Sequence, residues 1–246
     1  MGRWENKAEV LSQELLTALD RRMGTKVGGD ENEIMVNHAL VDIAQRNSYS
    51  NDQESQQRLE QEVSLLESAL NKFSSLSPIK SKGLVLRVGR FGSLISGFAG
   101  LEADLDLTIL TNSYVKEVEL LKLLADFLRK EYKDDDRNAG RRMYIDPIIQ
   151  AKTPLVAVKI VNKGQSDIKI DIIINNILGV LNSRFLSVYS GVRWVKNLGL
   201  LVKMWAKKVA LIEKNALSSY AMVLMLLHYL IKKKRVRPIL DHRVLT

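Results

Sequence analysis

The spacing of apolar positions changes twice along the chain. Residues 6–23 carry Val10, Leu11, Leu15, Leu16 and Leu19 at helical intervals, which predicts a helix. A glycine-rich break follows from Gly24 to Asp30. Residues 32–46 predict a second helix, apolar nearly all round, in which His38 reads as a core residue and not a ligand. A polar loop over 47–53 leads to a third helix over 53–76, with the stripe Leu59, Val63, Leu66, Leu70 and Phe73, stopped by Ser77-Pro78. From Leu84 the period shortens towards two. Strands are predicted over 84–90, 105–110, 143–149, 155–161 and 168–174, with a helix over 115–132, a charged loop over 133–142 and a turn at Asn162-Lys163-Gly164. After Asn175-Asn176 the helical period returns over 177–189, 193–210 and 217–233, the last with a serine at its cap. The expected fold class is α+β: an N-terminal helical layer (1–80), strands with flanking helices (81–176) and a C-terminal helical domain (177–246).

Charge sharpens this division. The 246 residues carry a net +9, yet residues 191–246 hold twelve Lys/Arg against two Asp/Glu, leaving residues 1–190 near −1. Basicity gathered in the last quarter suits a polyanionic partner such as a nucleic acid or a nucleoside triphosphate. The chain has no cysteine, which excludes disulfides, thiolate zinc sites and cysteine nucleophiles. The histidines, His38, His228 and His242, are scattered and make no metal set; His228 reads as packing. No targeting pattern and no apolar run of spanning length is found, so the expectation is a soluble intracellular chain without a membrane. The cytoplasm is the first choice of compartment, with nucleus and mitochondrion left open.

One stretch carries chemistry. Gly92-Ser93 reads as a turn before a short helix, where backbone N–H groups favour phosphate, and a strand with Asp104-Leu105-Asp106 follows. Strand alternation turns both carboxylates to one face, an arrangement that suits a hard divalent cation. Asp171 stands inside the β-branched run Ile168 to Ile174. Spacing leaves two readings equal: a solvated charge, or a third carboxylate joining Asp104 and Asp106. Asp146 reads as a turn residue before Pro147.

Four segments in order then resemble one family. These are Gly92-Ser93 with Asp104-x-Asp106; Asp171-Ile172-Ile173-Ile174-Asn175-Asn176; Val202-Lys203-Met204-Trp205-Ala206-Lys207; and Leu217-Ser218-Ser219-Tyr220. Over residues 82–240 the chain resembles the noncanonical poly(A) polymerases and terminal uridylyltransferases, RNA-tailing enzymes of the DNA polymerase β-like nucleotidyltransferase superfamily. The resemblance implies that the sheet is mixed and forms a catalytic palm, and that Asp104, Asp106 and Asp171 hold two Mg²⁺ (or Mn²⁺) ions. It implies that Gly92 and Ser93 meet the outer phosphates, with Ser219 near them. Lys203 and Lys207 would bind the triphosphate, Tyr220 would stack on the base and Asn182 would contact the ribose. The nucleotide is expected in a cleft between palm and helical layer.

The implied partners are an RNA 3′ end and UTP or ATP, and the implied reaction is template-independent nucleotidyl transfer, uridylyl ahead of adenylyl. The family's helical domain continues beyond the Ser-Ser-Tyr helix, whereas this sequence ends at Thr246. The helical domain is therefore expected to be incomplete, with a protein partner as one means of completing it. The alternative is a catalytically silent subunit that keeps the fold for interaction or assembly.

Overall fold

Alternate residues of the central strands are leucine, isoleucine and valine, and these dictate which face of the sheet is sealed. The computed structural model describes residues 31–76, 79, 83–132, 141–212 and 217–239. The helix expected over 6–23, the glycine break, the Ser77-Pro78 stop, most of the charged loop and His242 lie outside the described residues. The chain forms two units, one of Asn47–Lys196 with residues from Pro238, the other of residues up to Arg46 with Asn197–Arg237.

The first unit is an α+β palm. It contains helix α2 (Gln53–Ser74), strand β1 (Leu86–Phe91), the short helix α3 (Gly92–Ser96), β2 (Leu105–Thr111), α4 (Glu117–Glu131), β3 (Arg141–Ile148), β4 (Leu155–Asn162), β5 (Ile168–Ile174) and α5 (Ile177–Ser190). The five strands run in the order β1-β2-β5-β4-β3. β2 and β5 are parallel, and the other three pairs are antiparallel. The sheet is therefore mixed, as the resemblance implies.

One face is closed. Leu107, Ile109, Ile170, Ile172, Val156, Val158 and Ile160 are at most 1% exposed and form a single cluster with α2 and α4. α2 contributes Val63, Leu66, Leu70 and Phe73, and α4 contributes Leu120, Leu121, Leu124 and Leu128, each set at the spacing of one helix face. Each such side chain, fully buried, contributes about 1.5–3 kcal/mol. Arg141 on the edge strand reaches Glu62 of α2 at 2.6 Å, with side chains only 19% and 11% exposed. Arg90 of β1 reaches Glu60 and Glu67 on the same helix.

Two loop readings change. The polar stretch before α2 contains a 3₁₀ turn, Tyr49–Asn51, tied to the segment after α3 by Tyr49 N donating to Ala99 O at 3.1 Å. Asp146 is not in a turn: it lies within β3, exposed and paired with Ala157. β3 is an edge strand, where proline is tolerated because one row of backbone groups faces away from the sheet, so Pro147 did not end it.

The second unit holds α1 (Glu31–Arg46), α6 (Arg193–Lys208) from Asn197 onward, and α7 (Ser219–Lys232). Ser218 caps α7 by accepting from Ala221 N at 3.1 Å, and Met222, Val223, Leu226, Leu227 and Leu230 form its buried side. Both described histidines are exposed, which corrects their reading as core or packing residues. α1 is apolar on too many sides for the pattern to choose a face, and Val36 and Ile43 are exposed with His38. His228 shares the outward side of α7 with Met225, three residues earlier. Among the described residues no helix is long and apolar enough to cross a membrane.

Candidate active site

The site begins where β1 ends. Phe91 is paired with Asp106, and the chain then turns at Gly92 with φ +81°. A Cβ on Gly92 would lie 1.7 Å from Asp106 Oδ2, so only glycine allows the backbone to press against that carboxylate. α3 starts at Gly92 itself, not after Ser93, and Gly97 in the left-handed region ends it. The Gly92 N–H is already engaged, donating to Ser183 Oγ at 2.8 Å. Ser93 follows on the first turn, partly buried.

The carboxylates assemble through strand register. Asp106 and Asp171 are partners across the parallel β2–β5 pair, so they share one face at the spacing of neighbouring strands, about 4.8 Å. This is the face opposite the closed core, because Leu105, Leu107, Ile170 and Ile172 point the other way. Asp104 lies just before β2, exposed, with Lys169 Nζ 3.9 Å from its Oδ1. The Asp171 carboxyl is pushed above the usual carboxylate range, first by desolvation and then by the nearby Asp104 charge; Lys169 opposes the shift. Asp146 stands in the same cross-sheet row, separated from Asp171 by Ala157.

A set of aspartates without histidine or cysteine suits a hard divalent cation in kind. Among the described residues, no three acidic or histidine side chains already close around a common point. Asp106, Asp171 and Asp104 thus form an open cluster, in which the partly buried Asp171 feels the charge of Asp104.

α5 fixes the other side of the Gly-Ser turn. Asn176 caps it by accepting from Gly179 N at 3.0 Å, while its own N–H donates to Thr108 Oγ1 at 3.0 Å. Asn175 takes φ +56° and accepts from Thr111 N, locking the ends of β2 and β5 together. Asn182 and Ser183 lie on the second turn of this helix, Asn182 partly buried and Ser183 buried. Sequence reasoning missed Ser183 and Thr108. An Asn-Asn pair after a strand is a cap signal, but nothing in an apolar helix marks a serine that reaches back to a distant glycine.

The remaining candidates stand in the helical unit. Lys203, partly buried, and Lys207, exposed, are four apart on α6. Ser219 opens α7, and Tyr220 beside it keeps 40% of its surface exposed. Trp205, between the two lysines, buries its indole Nε1 without a hydrogen-bond partner among the described residues. A pocket of about 400 Å³ lies elsewhere in the sheet unit, lined by Tyr49, Gln56, Glu60, Arg90, Leu94 and Ile95, and no candidate carboxylate lines it.

This geometry has relatives. A family model described as the poly(A) RNA polymerase, mitochondrial-like, central palm domain matches residues 41–191. Terminal uridylyltransferase 4 of Homo sapiens is 32% identical over 152 residues, 60% of this chain and 9% of that protein. Poly(A) RNA polymerase GLD2 of Xenopus tropicalis is 31% identical over 145 residues, 56% of this chain and 26% of that protein. A structure of the Cid1 poly(U) polymerase with MgGTP bound superposes with a TM-score of 0.60 at 25% identity, covering 83% of this chain and 58% of that one. The chain thus spans about a tenth to a quarter of the length of these two curated relatives.

Proposed function

The chain belongs to the family of mitochondrial-like poly(A) RNA polymerase central palm domains, and from that premise we propose that it is a template-independent RNA 3′-terminal nucleotidyltransferase. The observation that carries this reading is the register of Asp106 with Asp171, with the Gly92 backbone pressed against the first of them. In the reaction the acceptor 3′ oxygen bonds to the α-phosphorus of UTP or ATP, and the bond from that phosphorus to the bridging oxygen breaks. The hydroxyl proton passes to solvent and pyrophosphate leaves. Uridylyl transfer ranks ahead of adenylyl transfer.

Asp104, Asp106 and Asp171 would hold Mg²⁺ (or Mn²⁺), which when bound activates the attacking oxygen and offsets charge on the leaving group. Ser93 contacts the outer phosphates, and Lys203 and Lys207 neutralise the triphosphate. Ser219 lies near the phosphates, and Asn182 meets the ribose 2′-hydroxyl. Tyr220 stacks on the base, an interaction worth ~1–3 kcal/mol and largely blind to base identity. The basic residues of 191–246 add salt-dependent affinity for the RNA backbone.

A silent scaffold is the second reading, favoured by the open carboxylate cluster. One assay separates the two: the purified chain, a short RNA, Mg²⁺ and each of the four triphosphates in turn. Extension of the RNA, greatest with UTP and lost in Asp106→Ala, is the expected result. A folded chain that extends RNA with none of them leaves the scaffold reading.

A further inference from the structure

Ser183 is 6% exposed and spends both faces of its hydroxyl inside the protein. It donates to Gly179 O at 2.7 Å, one turn back on α5, and this fixes the hydroxyl hydrogen. Its lone pairs are then turned to Gly92 N, which donates at 2.8 Å across 91 residues of sequence. Gly92 is the residue whose missing side chain makes room for Asp106 Oδ2. The turn before Ser183 is built for the same contact. A Cβ on Gly179 would come within 2.9 Å of Phe91 Cδ2 and 2.3 Å of Asn176 Nδ2, so glycine lets α5 approach the end of β1 closely.

We propose that Ser183 is a positioning residue for the nucleotide site, holding the Gly92-Ser93 turn at a fixed distance from Asp106 through the Gly92 amide. The inference rests on the tailing reading for its kinetic consequence, but its structural core does not. Ser183 touches neither substrate nor metal in this role. It acts through Gly92, and it ties the turn expected to meet the phosphates to the helix that carries Asn182. A turn released from this anchor keeps its sequence and loses its spacing from the carboxylates, so nucleotide affinity suffers while the acceptor site does not.

The test uses the full chain as wild type, Ser183→Ala and Ser183→Thr, the last keeping the hydroxyl. Exchange of the Gly92 amide, followed by NMR, reads the anchor directly. Leaving one N–H without its partner corresponds to about a fivefold to 150-fold effect. Gly92 exchange should accelerate by that order in Ser183→Ala and return towards wild type in Ser183→Thr, with amides in β4 unchanged as the control for folding. In the tailing assay the same variant should raise KM for the triphosphate by a similar factor, with KM for RNA unchanged. Unaltered Gly92 exchange in a folded Ser183→Ala overturns the proposal, as does an equal rise in both KM values. A wild-type chain that tails no RNA overturns the functional reading alone, and the exchange result then decides the role of Ser183.

Discussion

The two faces of the sheet are made by alternate residues of the same strands, yet they differ in almost every physical respect. On one, Leu107, Ile109, Ile170 and Ile172 are at most 1% exposed beneath α2 and α4. On the other, Asp106 and Asp171 stand half-covered, and only the Thr108 end is closed. The closed face supplies the stability that lets the open face keep carboxylates together against their mutual repulsion. Buried core and carboxylates are thus separated by a shift of one residue along β2 and β5.

The largest way to break that separation is Asp171→Asn. Tailing should fall to background while the fold is kept. Stability should move in the opposite direction from activity. Asp171 has its folded carboxyl raised above the ordinary 3.8, so its favourable contribution is complete below that value and is lost as pH rises through the folded one. With metal chelated at neutral pH the variant should therefore melt at or above the wild-type temperature, and below pH 3.8 the two should converge. A variant that melts well below wild type at neutral pH would mean that the carboxylate supports the fold.

Leu121→Ala is the complement on the closed face, where Leu121 is 0% exposed. Denaturant unfolding should show a loss of about 2–5 kcal/mol, with kcat per folded molecule unchanged. A fall in kcat at constant folded fraction would show that the faces are coupled. Thr108→Val lies at the covered end of the carboxylate face, where Thr108 is buried and accepts from Asn176 N. Leaving that N–H without its partner should cost about 1–3 kcal/mol, visible in the same unfolding curves. The smallest effect is expected at Asp52, which caps α2 by accepting from Ser55 N. Asp52→Ala should cost ~1 kcal/mol and leave nucleotide KM alone.

What the chain discloses before folding follows the same division. The closed face is written in short-range periodicity: Leu105-x-Leu107-x-Ile109 and Ile168-x-Ile170-x-Ile172 announce strands with one apolar side. Asp171 is visible as a charge within such a run, but its partner is not, because strand order and register are decided by contacts between distant segments. Only the pairing with Asp106 turns an ambiguous carboxylate into a neighbour of another. Asp146 shows the reverse failure. Its proline neighbour suggests a turn, and the edge position of β3, which no local pattern encodes, makes it a strand residue. His38 and His228 mislead because an apolar helix without a clear polar stripe does not say which side is outward. Ser183 gives no local signal at all, since its meaning lies in a contact 91 residues away.

Asp104, Asp106 and Asp171 are proposed to hold divalent ions in common. Mn²⁺ titration of the purified chain, followed by electron paramagnetic resonance in the presence of a non-hydrolysable triphosphate, reads that sharing at the metal itself. Saturable binding that is lost in both Asp106→Asn and Asp171→Asn is the predicted result. Undiminished binding in either variant would contradict a shared site.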